Sequence, residues 1–270
     1  MERSAVKGTA RNGAFELAFE VEGEGPELLL IAGSASTRAI WTLVRPRLTE
    51  SFRTIAFDNR DSGESTIAAE PYSLRDLAGD ALAVLDAAGA ARAHVLGHSM
   101  GGVVAQELAL SEPDRVASLR LVSTWARGDA YTKNLMEMMC ALTAAIDDDR
   151  TLLAAILFAG AGETTLRTGS LFEMVDAAMA LGPLASRAAL LRQWQLDAHV
   201  DTLDRLAALR VPAQVIWGEE DRLLPPRYSR ALLEAVPHAK GTAIEACGHL
   251  PMVVAPDAFV RAVEAFTLPS

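Results

Sequence analysis

The stretch His94-Val95-Leu96-Gly97-His98-Ser99-Met100-Gly101-Gly102-Val103-Val104 decides the fold. Its opening residues form a short apolar run of strand character, Gly97 to Gly101 is a Gly-x-Ser-x-Gly turn, and Val103, Val104 and Leu108 mark the helix that follows. Such a pattern also arises by chance, so its setting between a strand and a helix is what gives it weight. A serine at so sharp a turn sits in strained backbone, and neighbours without side chains let the turn close. The Ser99 hydroxyl is thereby pushed into the open. The amide of Met100, at the start of the helix, points toward where the oxyanion of a tetrahedral intermediate would form, and the helix dipole adds to the attraction. A tight glycine-rich turn with an idle serine is the weaker reading.

Outward from this turn, Leu28 to Ile31, Thr54 to Phe57, Leu119 to Val122 and Ala213 to Trp217 are further short apolar runs suited to strands covered on both faces. Helical patterns lie between or beside them at Ile40 to Leu48, Ser73 to Ala88, Ser99 to Ser111 and Arg227 to Val236. This alternation implies right-handed crossovers and a doubly wound α/β sheet. The turn signal Asn12-Gly13 and the alternation of Phe15, Leu17, Phe19 and Val21 add antiparallel strands at the start, and only the first dozen residues look loose. A last strand near Thr242 to Glu245 and a helix from Asp257 to Phe266 close the pattern. Residues 127–206 break the rhythm with helices and no strand, so they are expected as a helical cap inserted in a core of residues 1–126 and 207–270. This segment holds five of the eight methionines: Met136, Met138, Met139, Met174 and Met179. Trp125, Met136, Met139 and Met174 are the candidates for an adaptable apolar pocket, although methionine at helical spacing more often fills a core.

A serine hydroxyl needs a base, and five histidines compete. His98 lies inside the turn and is expected to point elsewhere, His94 precedes a strand, His199 belongs to the cap, and His238 follows Pro237. His249 is left, in Cys247-Gly248-His249-Leu250-Pro251 directly after the last strand, where a loop can hold an imidazole beside Ser99. The base needs a carboxylate to fix its tautomer. Ser123-Thr124-Trp125 offers none, whereas Gly218-Glu219-Glu220-Asp221 does; Asp221, short and placed where the loop turns toward Pro225, is chosen over its solvated neighbours Glu219 and Glu220. The order serine, acid, histidine is that of the α/β-hydrolase class.

A net charge of −10 argues against nucleic acid, and the 22 arginines, against 3 lysines, form no run. Cys140 and Cys247 make neither a metal spacing nor a disulfide framework, and Cys247 is expected to be buried and inert. No apolar stretch is long enough for a signal peptide or a bilayer span, so the expectation is a soluble cytoplasmic protein with no membrane partner, and a homo-oligomer is compatible with it.

These residues resemble the α/β-hydrolase superfamily, in particular its lid-bearing esterases, lactonases and cofactor-free haloperoxidases. Besides the nucleophile turn, Asp58-Asn59-Arg60-Asp61-Ser62-Gly63-Glu64-Ser65 is similar to the family loop Asp-x-Arg-Gly-x-Gly-x-Ser, and Gly248-His249-Leu250-Pro251-Met252 to its histidine loop. Two departures stand out: Ala32-Gly33 where the family has His-Gly, and Asp61 where it has glycine. The resemblance implies Ser34 as the second oxyanion-hole amide beside Met100. Enol-lactone hydrolases also lack the His-Gly pair, and the chain looks like them from Trp41 through the nucleophile turn. The expectation is therefore hydrolysis of a small, largely apolar carboxylic ester or lactone through an acyl-enzyme on Ser99, with no metal or organic cofactor. Carbon–carbon bond hydrolysis, acyl transfer and perhydrolysis would use the same triad, and a ligand-binding protein or non-hydrolytic biosynthetic catalyst would keep the fold.

Overall fold

Leu28 and Leu30 face one hydrophobic core while Leu29 and Ile31 face another, so a single short strand is buried on both sides. The same alternation holds for Ile55 and Phe57 against Ala56, for Val95 against Leu96, and for Val215 against Ile216. That is why these strands read as unbroken apolar runs. The computed structural model describes residues 5–266. Its eight strands are β1 (Val6–Asn12), β2 (Phe15–Glu22), β3 (Glu27–Ile31), β4 (Arg53–Phe57), β5 (Ala93–His98), β6 (Val116–Val122), β7 (Ala213–Gly218) and β8 (Lys240–Ile244). They form one sheet in the order β1-β2-β4-β3-β5-β6-β7-β8; β1 and β2 run antiparallel to their neighbours and the rest are parallel. This is the α/β-hydrolase fold.

Helices cover both faces. The first core is covered by α2 (Leu74–Ala87), α3 (Met100–Ser111) and α9 (Arg227–Ala235); the second by α1 (Arg45–Leu48), α10 (Pro251–Val254) and α11 (Pro256–Ala265). The long helix expected over Ile40 to Leu48 is instead a 3-10 turn, Arg38–Trp41, followed by α1. Pro46 explains the break, because proline suits the first turn of a helix and disrupts an interior. The first dozen residues are not loose as a whole: Val6 to Asn12 pair along their length with β2, through a turn in which Gly13 has φ 59°. Residues 1–4 of that stretch lie outside the described residues.

Between β6 and β7 the chain leaves the sheet for α4 (Ala130–Ala145), α5 (Asp149–Gly160), α6 (Glu163–Arg167), α7 (Leu171–Leu181) and α8 (Arg187–Asp197). The two ends of this excursion meet: the Gly128 amide donates to the Val200 carbonyl at 2.9 Å and the Thr202 amide to the Ala126 carbonyl at 2.7 Å. Its helices bury clusters of their own, one around Met136, Met139, Leu152, Leu190 and Trp194 and another around Leu153 and Val175. Among the described residues, no helix is long and apolar enough to cross a membrane.

Strand order also dictates where a site can form. The chain starts the parallel sheet at β3, adds β4 on one side, then returns to place β5 on the other. The loops leaving the C-terminal ends of β3 and β5 therefore part in opposite directions and open a crevice between them, the usual ligand position in such sheets. Since Ile31 pairs with Gly97, Ser34 and Ser99 emerge there side by side.

Candidate active site

Ser99 has φ 54° and ψ −123°, a backbone conformation that favours glycine, and its neighbours show why it is held there. Its amide donates to the Val122 carbonyl at 2.9 Å, and its carbonyl accepts from Thr124 Oγ1 at 2.6 Å. A Cβ on Gly97 would lie 2.1 Å from the Gly101 carbonyl oxygen, and one on Gly101 would lie 2.2 Å from that of Ile31. Only glycine lets the turn close this tightly against β3. The Ser99 side chain makes no capping bond to α3. It faces a cavity of about 610 Å³ beneath the helical excursion.

His249 borders the same cavity from the loop after β8. Its Nδ1 donates to Asp221 Oδ2 at 2.8 Å, and both groups are buried. The other carboxylate oxygen of Asp221 accepts the Leu224 amide at 2.8 Å, which fixes the acid in the loop after β7. With Nδ1 engaged, Nε2 is the ring nitrogen left for proton exchange, and among the described residues it has no hydrogen bond, to Ser99 or any other group. Catalytic contacts of this type are often loose before substrate binds. The His249 amide donates to the Gly160 carbonyl at the end of α5, at 2.9 Å.

His98 does not point away from the site. Its ring lies 4.9 Å from that of His249, centroid to centroid, and its Nε2 donates to the His249 carbonyl at 2.9 Å. Burial, reinforced by His249, pushes its pKa down to about 3. A neutral His98 thus braces the loop that carries His249. Nor are the neighbours of Asp221 idle: Glu219 accepts from Trp217 Nε1 at 3.0 Å, and Glu220 takes the amide and hydroxyl of Thr164, each at 2.7 Å. Cys247 is buried and its thiol is pushed up to about 12, chiefly by burial.

Trp125, Met136, Met139, Met174 and Met179 all line the cavity, whereas Met138 is 49% exposed elsewhere. Met136 and Met139 also belong to a helical core cluster, so the packing and pocket roles coincide in them. Ser34 also borders the cavity, and among the described residues neither its amide nor that of Met100 has an acceptor. The loop that carries Ser34 is gripped from above by α8: Gln193 Oε1 accepts the Ala35 amide at 2.8 Å, and Asp197 Oδ2 accepts the Ser34 hydroxyl at 2.7 Å.

A strand-end serine in strained backbone, a histidine held by a buried aspartate, and this strand order together invite comparison with known hydrolases. The model of the alpha/beta hydrolase family matches residues 28–262. The chain belongs to that family. It is 30% identical over 250 residues to RutD of Azorhizobium caulinodans, a protein named as a candidate carbamate hydrolase, covering 93% of this chain and 94% of that one. Among solved structures, a thermophilic esterase from Thermogutta terrifontis superposes with TM-score 0.85 at 27% identity, over 97% of each chain. An enol-lactonase from Burkholderia xenovorans LB400 shares the fold with TM-score 0.86 at 23% identity, over 96% of this chain and 99% of that one. The family match and the RutD relative support hydrolase activity.

Both departures from the family motifs have a structural account in this alpha/beta hydrolase. Ala32 is buried and its carbonyl accepts from Asn59 Nδ2 at 2.9 Å, so the loop after β3 is tied to the end of β4 without a histidine. Asp61 has φ 68°, where glycine would be unstrained, and it is fully buried. Its carboxylate compensates through the Ala68 amide at 2.8 Å and a two-pronged ion pair with Arg192 of α8, both contacts at 2.8 Å. Arg192→Ala is expected to lower stability by about 3 kcal/mol, because it strands a buried carboxylate. Urea denaturation checks this; Asp61→Gly with Arg192→Ala should recover most of the loss, and an unchanged midpoint in the single variant would contradict the account.

Proposed function

We propose that this protein is a serine hydrolase that cleaves a small, largely apolar carboxylic ester or lactone, with Ser99, His249 and Asp221 as its triad. The observation that carries this reading is the His249 Nδ1 to Asp221 Oδ2 bond of 2.8 Å, on a ring that shares its cavity with the strained Ser99. His249 Nε2 takes the Ser99 proton as Oγ bonds to the substrate carbonyl carbon. The amides of Met100 and Ser34 receive the oxyanion. Collapse of the tetrahedral species breaks the bond to the leaving oxygen, which takes the proton from His249. Water, deprotonated in turn by His249, then releases the acid from Ser99. Residues 127–206 serve as the cap that excludes water and shapes the pocket, on a core of 1–126 and 207–270.

The relatives named as candidate carbamate hydrolases favour a second reading, in which the acyl group is a carbamoyl. The same nucleophile and oxyanion donors would serve it. Labelling with a small fluorophosphonate, followed by mass spectrometry, tests the shared step: one adduct on Ser99 is expected, absent from Ser99→Ala. Turnover of p-nitrophenyl esters, lactones and O-alkyl carbamates measured side by side then separates the two readings. Absence of both adduct and turnover would leave a binding protein on a hydrolase fold.

A further inference from the structure

Asp197 is the last residue of α8, 2% exposed, and it borders the cavity that holds Ser99 and His249. Its Oδ2 accepts the Ser34 hydroxyl at 2.7 Å, an oxygen that also lies 3.2 Å from Met100 Sδ. Its Oδ1 is buried with no hydrogen-bond partner, and no cation pairs with the carboxylate among the described residues. The proposed triad does not use it, and no pattern in the sequence singles it out.

Three costs attach to this side chain. A buried carboxylate oxygen without a donor is expensive, and native structures retain few such groups. A negative charge at the C-terminus of a helix opposes the helix dipole. Burial also raises the carboxyl to about 7 against the pull of the Ser34 hydrogen bond. Holding Ser34 does not explain these costs, because an asparagine would accept the same hydroxyl without a charge. What the carboxylate adds is a second strong acceptor, in a cavity whose wall is mostly apolar but also carries Glu173 and the hydroxyls of several serines and threonines. In an apolar pocket a few placed polar groups fix a ligand's orientation.

We propose that Asp197 is the recognition point for a hydrogen-bond donor on the substrate: an N–H or O–H on the Ser34 side of the cavity completes the coordination of Oδ1. The preferred substrates are then esters, lactones or carbamates that carry an amide, amine or hydroxyl group, not purely apolar ones. This rests on reading the cavity as the hydrolytic site, and Asp197 acts in it as a specificity residue that takes no part in bond breaking.

The test compares pentanamide with 2-hexanone, which match in shape and exchange an NH2 for a CH3. Each is titrated into the protein at pH 8.5, where the carboxylate is ionised, and binding is read from the fluorescence of Trp125 and Trp194, which both border the cavity. The amide should bind about tenfold more tightly than the ketone, the scale of one hydrogen bond to a charged group. Asp197→Leu should abolish the difference, and Ser34→Ala, which removes the hydroxyl but leaves Oδ1, should retain it. Equal affinities in the unaltered protein, as a resident water on Oδ1 would produce, overturn the proposal, as does a preference that survives Asp197→Leu. The comparison in the unaltered protein stands even if that variant fails to fold. Hydrolysis of p-nitrophenyl butyrate, measured on the same samples, judges the hydrolase reading separately, since the binding ratio does not depend on turnover.

Discussion

Ser99→Ala is expected to lower kcat/KM toward a p-nitrophenyl ester by about 10⁴- to 10⁶-fold, the scale of losing a triad nucleophile. Stability should barely change, because the Ser99 side chain caps nothing in α3 while its backbone amide and carbonyl keep their bonds to Val122 and Thr124. Ser99→Gly makes the complementary point. It should be equally inactive yet more stable by about 1 kcal/mol, since glycine relieves the positive φ of 54°. Urea midpoints and single-turnover assays on the two variants check both halves. Residual activity within tenfold of the unaltered protein would remove Ser99 from the mechanism.

The second large effect is expected at Asp221. Asp221→Asn should reduce kcat by about 10⁴-fold with little change in KM, because a side-chain amide presents a donor to Nδ1 and favours the wrong imidazole tautomer. The asparagine oxygen can still accept the Leu224 amide, which Asp221 Oδ1 now accepts at 2.8 Å, so the loop after β7 should hold and thermal unfolding should move little. If activity stayed within a few fold, another acid would have to support His249. Glu220 is a poor replacement, because both its oxygens are committed to Thr164.

Parts of this molecule could be read without coordinates, for local reasons. The parallel strands announce themselves because burial on both faces demands apolar residues at every position, as in Leu28 to Ile31. Ser99, Asp221 and His249 stand out as candidates because Ser99 follows β5 directly and the other two lie in the loops that leave β7 and β8, and strand C-terminal ends are where such sheets expose side chains. The turn around Ser99 is also written locally, in glycines that leave room for backbone. Short-range reasoning fails where a residue's orientation depends on distant packing: His98 belongs to the turn, yet its ring supports a loop 151 positions later in the chain.

The amino-acid sequence by itself determined the class of fold, the sheet's strands, the helical excursion and a short set of candidate site residues, since all of these follow from periodicity and from turns a few residues long. Only the tertiary structure decided what surrounds them. The pairing of Asp61 with Arg192, the grip of Gln193 on the Ala35 amide and the placing of Asp197 against Ser34 join residues 131 to 163 positions apart. Such contacts depend on the angle at which α8 lies across the loops that leave the C-terminal ends of β3 and β4. That angle is a property of two packed surfaces, and neither segment records it alone.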